Sequence, residues 1–367
     1  MLREFLSLHP DAFGLDLSDL SCKIAKLKKT SRGAELVSFG DFAIPQGLIE
    51  QGEIKKEDEL VKTIKTALLK VQGQKLATPY VVASLPEEKA FLQVIQLPPM
   101  KKEEVRSAVN FEIENYIPYS PETVYIDSKI VPPIKNHLNH IDVLLAALPR
   151  KTVDSYVSLM SKAGLIPVVF EIESLASARA LIPQEVSQFP MLLVDLGATR
   201  TSFIVFAGFS LRFTASIAIS SLQMSLAIAK TMNVDPPKAE ELKMRYGLQD
   251  RETNEGKQVF EALVPPLVDL KEQIKKYADY YEVHAAHQHL SVQERKIKKI
   301  LLTGGGANLK GLAGFLEKEL ITEVVLGNPW VNISPQPFLK LPPLPLPLAL
   351  QYSTALGLAL RGLHAYD

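Results

Sequence analysis

The chain has 367 residues, 47% of them hydrophobic and 22% charged, which is enough material for two compact lobes sharing a cleft. Its 41 Lys and Arg against 41 Asp and Glu give a formal net charge of zero, which excludes the cationic surplus that accompanies non-specific nucleic-acid binding. A single cysteine, Cys22, and a start, MLREFLSLHP, without basic region, long apolar core or small-residue cleavage site predict a protein of the reducing cytoplasm.

In chain order, FGLDLSDLSCKIAKLKK reads as strand, tight turn and strand, and LLVDLGATRTSFIVF (192–206) repeats that plan in the second half. Between them, KKEDELVKTIKTALLKV has a helical period, PYVVASLP and FLQVIQLP read as strands, and KKEEVRSAVNFEIENYI is a helix that ends before Pro118. ETVYIDSKIV and IDVLLAALP follow as strands, and KTVDSYVSLMSKAGLIP as a helix stopped by Gly164 and Pro167.

The second half continues with helical SSLQMSLAIAKTMNV, charged PPKAEELKMRYG, and a long helix expected from Pro266 to about Leu290. KIKKILLTGGG is a strand opening into glycines, and GLAGFLEKEL and QYSTALGLALRGL are helices. Pro342, Pro343, Pro345 and Pro347 break the apolar tail, which predicts a proline-rich loop before a buried helix and not a membrane span.

Two stretches carry candidate chemistry. In LLVDLGATRTSFIVF a strand bearing Asp195 runs into Gly197, where backbone amides can approach an anion, with Thr199 and Thr201 behind; Asp195 would hold a metal ion through water. Alone, the same stretch reads first as a plain hairpin whose turn needs glycine. In ILLTGGGANLKGL a buried strand opens into Gly304, Gly305 and Gly306 and then a helix, with Asn308 as its expected cap. Consecutive glycines without a spaced acid are not the dinucleotide fingerprint, and no P-loop lysine follows.

These pieces together resemble the actin-like nucleotide-binding fold of actin, Hsp70, sugar kinases and FtsA, and more closely the PilM family of type IV pilus assembly. GLDLSDLSCKIAKL, LPPMKKEEVRSAVNFEIENYIPYSPETVYID, KAGLIPVVFEIESLASARAL, LVDLGATRTSFIVF, KAEELK, LTGGGANLKGLAGFLEKEL, NPW and GLALRG follow that family's order. The resemblance implies an α/β, two-lobed, ribonuclease H-like fold. Lobe one would span 1–190 with an α/β subdomain inserted at about 79–166, and lobe two 191–367 with a helical segment at about 226–299.

It also implies ATP or ADP with Mg in the cleft. Asp16, Ser18, Asp19, Ser21 and Lys23 would form a first phosphate loop, and Asp195, Gly197, Ala198, Thr199 and Thr201 a second. Gly304, Gly305 and Gly306 with Glu240 and Lys243 would make an adenosine pocket, Glu240 facing the ribose. Ser18 stands where the family has glycine, Asp19 where it has a small hydroxyl residue, and Ser220–Ser221 where it has a glycine pair. These changes predict weakened binding, because Asp19 adds a second negative charge near the phosphates.

Phe111, Tyr116, Ile117, Pro118 and Tyr119 cluster at a helix end beside an open strand edge. By the resemblance, this region would receive the cytoplasmic N-terminal tail of a PilN-like inner-membrane protein, although Phe111 and Ile117 equally suit the subdomain's own core. Other platform proteins and the motor ATPases would be further partners, the membrane would be reached only indirectly, and self-association stays open. Glu171 and Glu173 in FEIESLA are an acidic pair that is catalytic or structural, so the chain is at most a slow ATPase. The competing readings are an FtsA-like polymerising membrane-associated ATPase and a sugar-kinase-like phosphotransferase. His284, His287 and His289 share no helical face, which predicts a solvated helix end and not a metal site.

Overall fold

The computed structural model describes residues 11–31, 33–117, 119–132, 139–284, 291–334 and 341–363. The expectations placed on Met1–Pro10, Pro118, His287 and His289 lie outside them.

The first lobe opens with β1 (Phe13–Leu17), β2 (Ser21–Thr30) and β3 (Gly33–Ala43), then the small hairpin β4 (Ile49–Glu50) and β5 (Glu53–Ile54). Helix α1 (Glu57–Leu69), β6 (Gln72–Gly73) and β7 (Tyr80–Leu85) follow. Next come β8 (Phe91–Leu97), α2 (Lys102–Glu112), β9 (Val124–Val131) and β10 (Ile141–Pro149). Helix α3 (Arg150–Ala163), β11 (Ile166–Ile172) and α4 (Glu173–Leu181) complete the half. β1 is buried at all five residues because it is a central strand, paired antiparallel with β2 and parallel with β7.

The second half builds the same plan again. β12 (Ser187–Leu196), β13 (Thr201–Gly208) and β14 (Ser210–Ile217) are antiparallel neighbours. Helices α5 (Ser221–Met232), α6 (Pro236–Tyr246), α7 (Asn254–His284) and α8 (Val292–Arg295) lead to β15 (Lys299–Thr303). After α9 (Leu312–Leu320) comes β16 (Glu323–Leu326), then α10 (Leu346–Ala349) and α11 (Ser353–Leu363). The strand orders β11-β7-β1-β2-β3 and β16-β15-β12-β13-β14 correspond place for place, the first pair of each being parallel.

Three expectations change. The insertion is narrower than 79–166, because β7 belongs to the first sheet and α3 packs against α1. The separate small core is made by β8, α2, β9 and β10, around Ile95, Val105, Val109, Val143 and Leu145. A break at 190/191 also misassigns the tail: Ala355, Leu356, Ala359 and Leu360 of α11 lie in the first lobe's core, with Trp330 and Leu344.

The long helix begins at Asn254 instead of Pro266 and carries Pro265 and Pro266 within it. An interior proline costs about 3 kcal/mol through its missing amide and its ring clash. Val259, Leu263, Leu267, Leu270 and Ile274 are all fully buried at three- and four-residue spacing on both sides of the pair. That continuous apolar stripe outweighs the local penalty. No helix among the described residues is long and apolar enough to cross a membrane.

Helix α11 crosses α4 so closely that a Cβ on Gly357 would stand 1.8 Å from the Ala176 carbonyl oxygen. Gly357→Ala should therefore destabilise the protein by about 2–3 kcal/mol. Gly314→Ala in α9, where a Cβ meets nothing within 4 Å, should stabilise by up to about 1 kcal/mol. Urea unfolding midpoints of the two variants check this; equal midpoints would remove the close crossing from the account of stability.

Candidate functional site

Between the lobes lies a cleft with a cavity of about 280 Å³. Three turns meet there, each at the end of a strand that the sheets hold fixed. The β1–β2 turn brings Asp16, Ser18, Asp19, Ser21 and Lys23; the β12–β13 turn brings Asp195, Gly197, Ala198 and Thr199; the end of β15 brings Gly304 and Gly305.

In the first turn, antiparallel pairing sets Asp16 opposite Lys23. Ser18 N–H donates to the Ser21 carbonyl at 2.9 Å, and the two hydroxyls lie 2.9 Å apart. Lys23 donates to Ser21 Oγ and stands 4.0 Å from Asp41. Asp19 lines the cleft but is tethered at its rim, its carboxylate accepting Gln51 N–H at 3.2 Å and Gly52 N–H at 3.0 Å. It closes the β4–β5 turn, so part of its charge is answered by backbone amides.

In the second turn, Gly197 N–H donates to Arg200 O at 2.9 Å. The first amides of α5 are used by this same turn, Ser221 N–H donating to Gly197 O and Leu222 N–H to Ala198 O. Thr201 does not line the cleft: it is fully buried and its hydroxyl donates to Ile219 O at 2.7 Å.

Gly304 has φ 81°, and a Cβ on it would stand 2.3 Å from Asp195 Oδ1, so only glycine lets the end of β15 pass this close to the carboxylate. Gly306 is buried, its Cα facing the Leu196 side chain, and packs the turn onto β12. Asn308 is no cap for α9; its amide donates to Pro347 O at 2.8 Å and ties the glycine turn to α10.

Glu240 and Lys243 do not line this cavity. Both lie on α6, where the buried Lys243 donates to Ser221 O at 3.0 Å, to Ser221 Oγ and Ser225 Oγ at 2.8 Å each, and pairs with Glu240 at 2.7 Å. Burial lowers the Lys243 pKa while Glu240 opposes that shift. Ser220, in turn, caps α5 by accepting Gln223 N–H. The serine pair therefore has local partners of its own.

The acidic pair is divided. Glu171 is taken up by a two-pronged ion pair with Arg179, whereas Glu173 lines the cleft. Asp41, Glu88, Arg200, Gln351, Ser353 and Thr354 also line it, and sequence reasoning missed them. Arg200 reaches across from the second turn to Glu88, Nη2 to Oε1 at 3.2 Å, while Nη1 donates to Ser216 Oγ. Its position inside ATRT was the available signal.

Electrostatically the cleft is acidic, with Asp16, Asp19, Asp41, Glu88, Glu173 and Asp195 against Lys23 and Arg200. Burial, then the Asp16 charge, pushes Asp195 up to about 6. Burial first, then Asp16 and Glu88, drives Glu173 well above the usual carboxylate range, and burial raises Asp16 and Glu88 also. A bare anion is poorly suited to this cleft. Lys23 and Arg200 are the cations that line it beside these carboxylates.

Two duplicated sheets with paired turns at a shared cleft define the actin-like class. In sequence, residues 14–363 match the family described as "Type IV pilus assembly protein PilM", and the chain belongs to that family. Among solved structures, it is similar to a chain of the "PilM-PilN type IV pilus biogenesis complex", with TM-score 0.78 and 26% identity, covering 96% of this chain and 98% of that one. MreB5 of Spiroplasma citri bound to ADP shares the fold, with TM-score 0.55, 10% identity, and 98% and 97% covered. Cell division protein FtsA of Pseudomonas aeruginosa is 26% identical over 211 residues, 52% of this chain and 46% of that protein. That of Helicobacter pylori is 22% identical over 177 residues, 44% and 36%. The matches thus span less than half the length of these FtsA relatives.

The raised carboxyls set a pH dependence. Because Asp195 is protonated up to about 6 when folded but only to the ordinary carboxylate range when unfolded, the native state binds more protons between those values. Stability of the ligand-free protein should therefore fall as pH rises from about 4 to 7 through this group. Asp195→Asn should flatten that slope and stabilise by about 1–2 kcal/mol at pH 7.5. Tm measured against pH for both proteins checks this; a wild-type slope of opposite sign would refute the burial of charge at Asp195.

Proposed function

We propose that the chain is a nucleotide-binding scaffold of type IV pilus assembly whose inserted subdomain receives the cytoplasmic N-terminal tail of a PilN-like inner-membrane protein. The observation that carries this reading is the whole-chain likeness to a PilM chain solved with PilN, at 26% identity. The three converging turns support the nucleotide part.

When bound, a magnesium nucleotide supplies the divalent charge that the acidic cleft lacks. The chain's own residues would do the rest. The backbone of the β1–β2 and β12–β13 turns approaches the phosphates, Lys23 adds positive charge, and Asp195 holds the cation through water. The glycine turn at Gly304 and Gly305 brings bare backbone to the cleft, where the sugar or base would lie. Burial, then the neighbouring carboxylates Asp16 and Glu88, raises Glu173 well above the usual carboxylate range. Attachment to the membrane would come through the partner's tail.

At the insertion, Phe111 is 85% and Tyr119 40% exposed, whereas Ile117 is 6% exposed and belongs to the small core. The same subdomain ends in β9, an edge strand of the larger sheet among the described residues, and an edge strand suits pairing with an extended peptide. The tail therefore meets Phe111 and Tyr119, and Ile117 acts by holding the subdomain together.

Nucleotide released on denaturing the purified protein, identified by mass spectrometry, tests the first part; neither ATP nor ADP released, together with no thermal shift by Mg-ATP, would refute it. The second part predicts that Phe111→Asp lowers tail-peptide affinity by about tenfold with Tm unchanged. Ile117→Ala should instead destabilise by about 2–4 kcal/mol. Fluorescence anisotropy of a labelled tail peptide reads the first outcome, and wild-type affinity in Phe111→Asp would move the tail elsewhere.

A further inference from the structure

The guanidinium of Arg200 lines the cleft with a partner on each side. Nη1 donates to Ser216 Oγ at 3.2 Å, which ties it to β14 of its own lobe, and Nη2 stands 3.2 Å from Glu88 Oε1 on the connection from β7 to β8. The structural pair Arg179–Glu171 is different in kind, because there two guanidinium nitrogens donate to two carboxylate oxygens. Arg200 and Glu88 lack that two-pronged hydrogen bonding, and their side chains keep 22% and 13% of their surface exposed. A pair of this sort exchanges partners readily. The other lining cation, Lys23, stays within its own sheet, donating to Ser21 Oγ and standing 4.0 Å from Asp41.

Glu88 also lies apart from the glycine turn. A Cβ on Gly52 would stand 2.8 Å from Glu88 Oε1, and Gly52 is the residue whose N–H donates to Asp19. The neighbours of Gly304 and Gly305 are Asp195, Leu196 and Gln351 instead. Burial pushes Glu88 up, Arg200 opposes that shift, and Asp19 and Glu87 add to it. A Glu88 that loses Arg200 therefore takes up a proton and does not stand as an unpaired buried charge.

We propose that Arg200 exchanges Glu88 for the terminal phosphate of a bound nucleoside triphosphate, so that this ion pair sets the preference of the cleft for a triphosphate over a diphosphate. The inference rests on the nucleotide reading of the cleft given above. With the sugar or base at the glycine turn, the phosphates nearest the sugar fall to the backbone of the two turns, and the last one comes to the side where Arg200 and Glu88 meet. A terminal phosphate brings more negative charge than one carboxylate and the oxygens for a two-pronged grip. Ser216 holds Nη1 and leaves Nη2 to change partner. A diphosphate ends short of the pair, which stays closed.

Isothermal titration of the nucleotide-free full chain with Mg-ATP and with Mg-ADP tests the exchange, and Tm of each variant checks folding. Glu88→Gln keeps the shape and removes the rival charge, so it should tighten Mg-ATP by about threefold to tenfold and change Mg-ADP by less than about twofold. Arg200→Gln should weaken Mg-ATP by about tenfold or more and Mg-ADP by less than about threefold. A gain in Glu88→Gln that Mg-ADP shares equally would reflect only the lost negative charge and would overturn the exchange, as would unchanged or weaker Mg-ATP binding. Equal losses of both nucleotides in Arg200→Gln would make it a general phosphate contact and overturn the selectivity; where that variant is unfolded, Glu88→Gln alone decides. Wild-type protein that binds neither nucleotide would refute the nucleotide reading itself, and the exchange with it, whereas wild-type binding of both with unmoved ratios in the variants would sink the exchange alone.

Discussion

Crowded carboxylates at one cleft are the constraint on which the rest of the structure depends. Asp16 and Asp195 lie near the ends of corresponding strands of two sheets, and packing the lobes together brings them into one electrostatic field, in which burial and then the Asp16 charge raise Asp195, and both acids raise Glu173. In water such repulsion would be about 1 kcal/mol at contact distance, but it grows as solvent is excluded. The fold accepts it because the strands that carry the acids are central and fully paired, so neither can be moved without losing its sheet. Lys23 from below and Arg200 from across the gap relieve only part of the charge. A cleft with this sign is stable enough to exist and remains receptive to a cation-bearing anion.

Much of this arrangement was legible in the sequence because the turns are local. A strand with an acid, a glycine and a second strand specify a hairpin whatever surrounds them, and the glycine run after β15 marks a close approach that no side chain survives. The less legible parts are decided by distant partners. Asp19 looks like a charge aimed at phosphate until the β4–β5 turn, more than thirty residues away, is seen to hold its carboxylate. Thr201 and Asn308 have the right types for a ligand, yet the carbonyls of Ile219 and Pro347 claim their donors. A sequence window cannot include those carbonyls.

The same distinction accounts for the elements. Helix α7 runs through Pro265 and Pro266 because apolar contacts on both sides outweigh a local rule, and β7 joins the first sheet by pairing with β1, sixty-odd residues earlier. Glu171 and Glu173 differ by two positions, and the chain changes from strand to helix between them. That change turns one carboxyl toward Arg179 and the other into the cleft. Spacing alone treats them as a pair, whereas the bend separates a structural ion pair from a cleft residue.

The insertion is joined to both lobes at identifiable places. The inserted sheet connects forward to the second lobe through the Phe213–Gln93 rung and the buried Arg212–Asp142 pair, and backward to the first lobe through the chain at Pro86–Ala90. Glu88, on that same short connection, is the residue that Arg200 grips across the cleft. Glu88 stands three residues before β8 begins, so the ion pair ties the second turn of the cleft to the start of the insertion. One face of the inserted sheet, with Leu92, Val94 and Leu144, also joins the main core, so the insertion is fastened to the body by apolar packing as well as by the rung and the ion pair. The cleft and the insertion therefore share a segment of five residues, Pro86–Ala90, which lines the one with Pro86 and Glu88 and leads directly into the other.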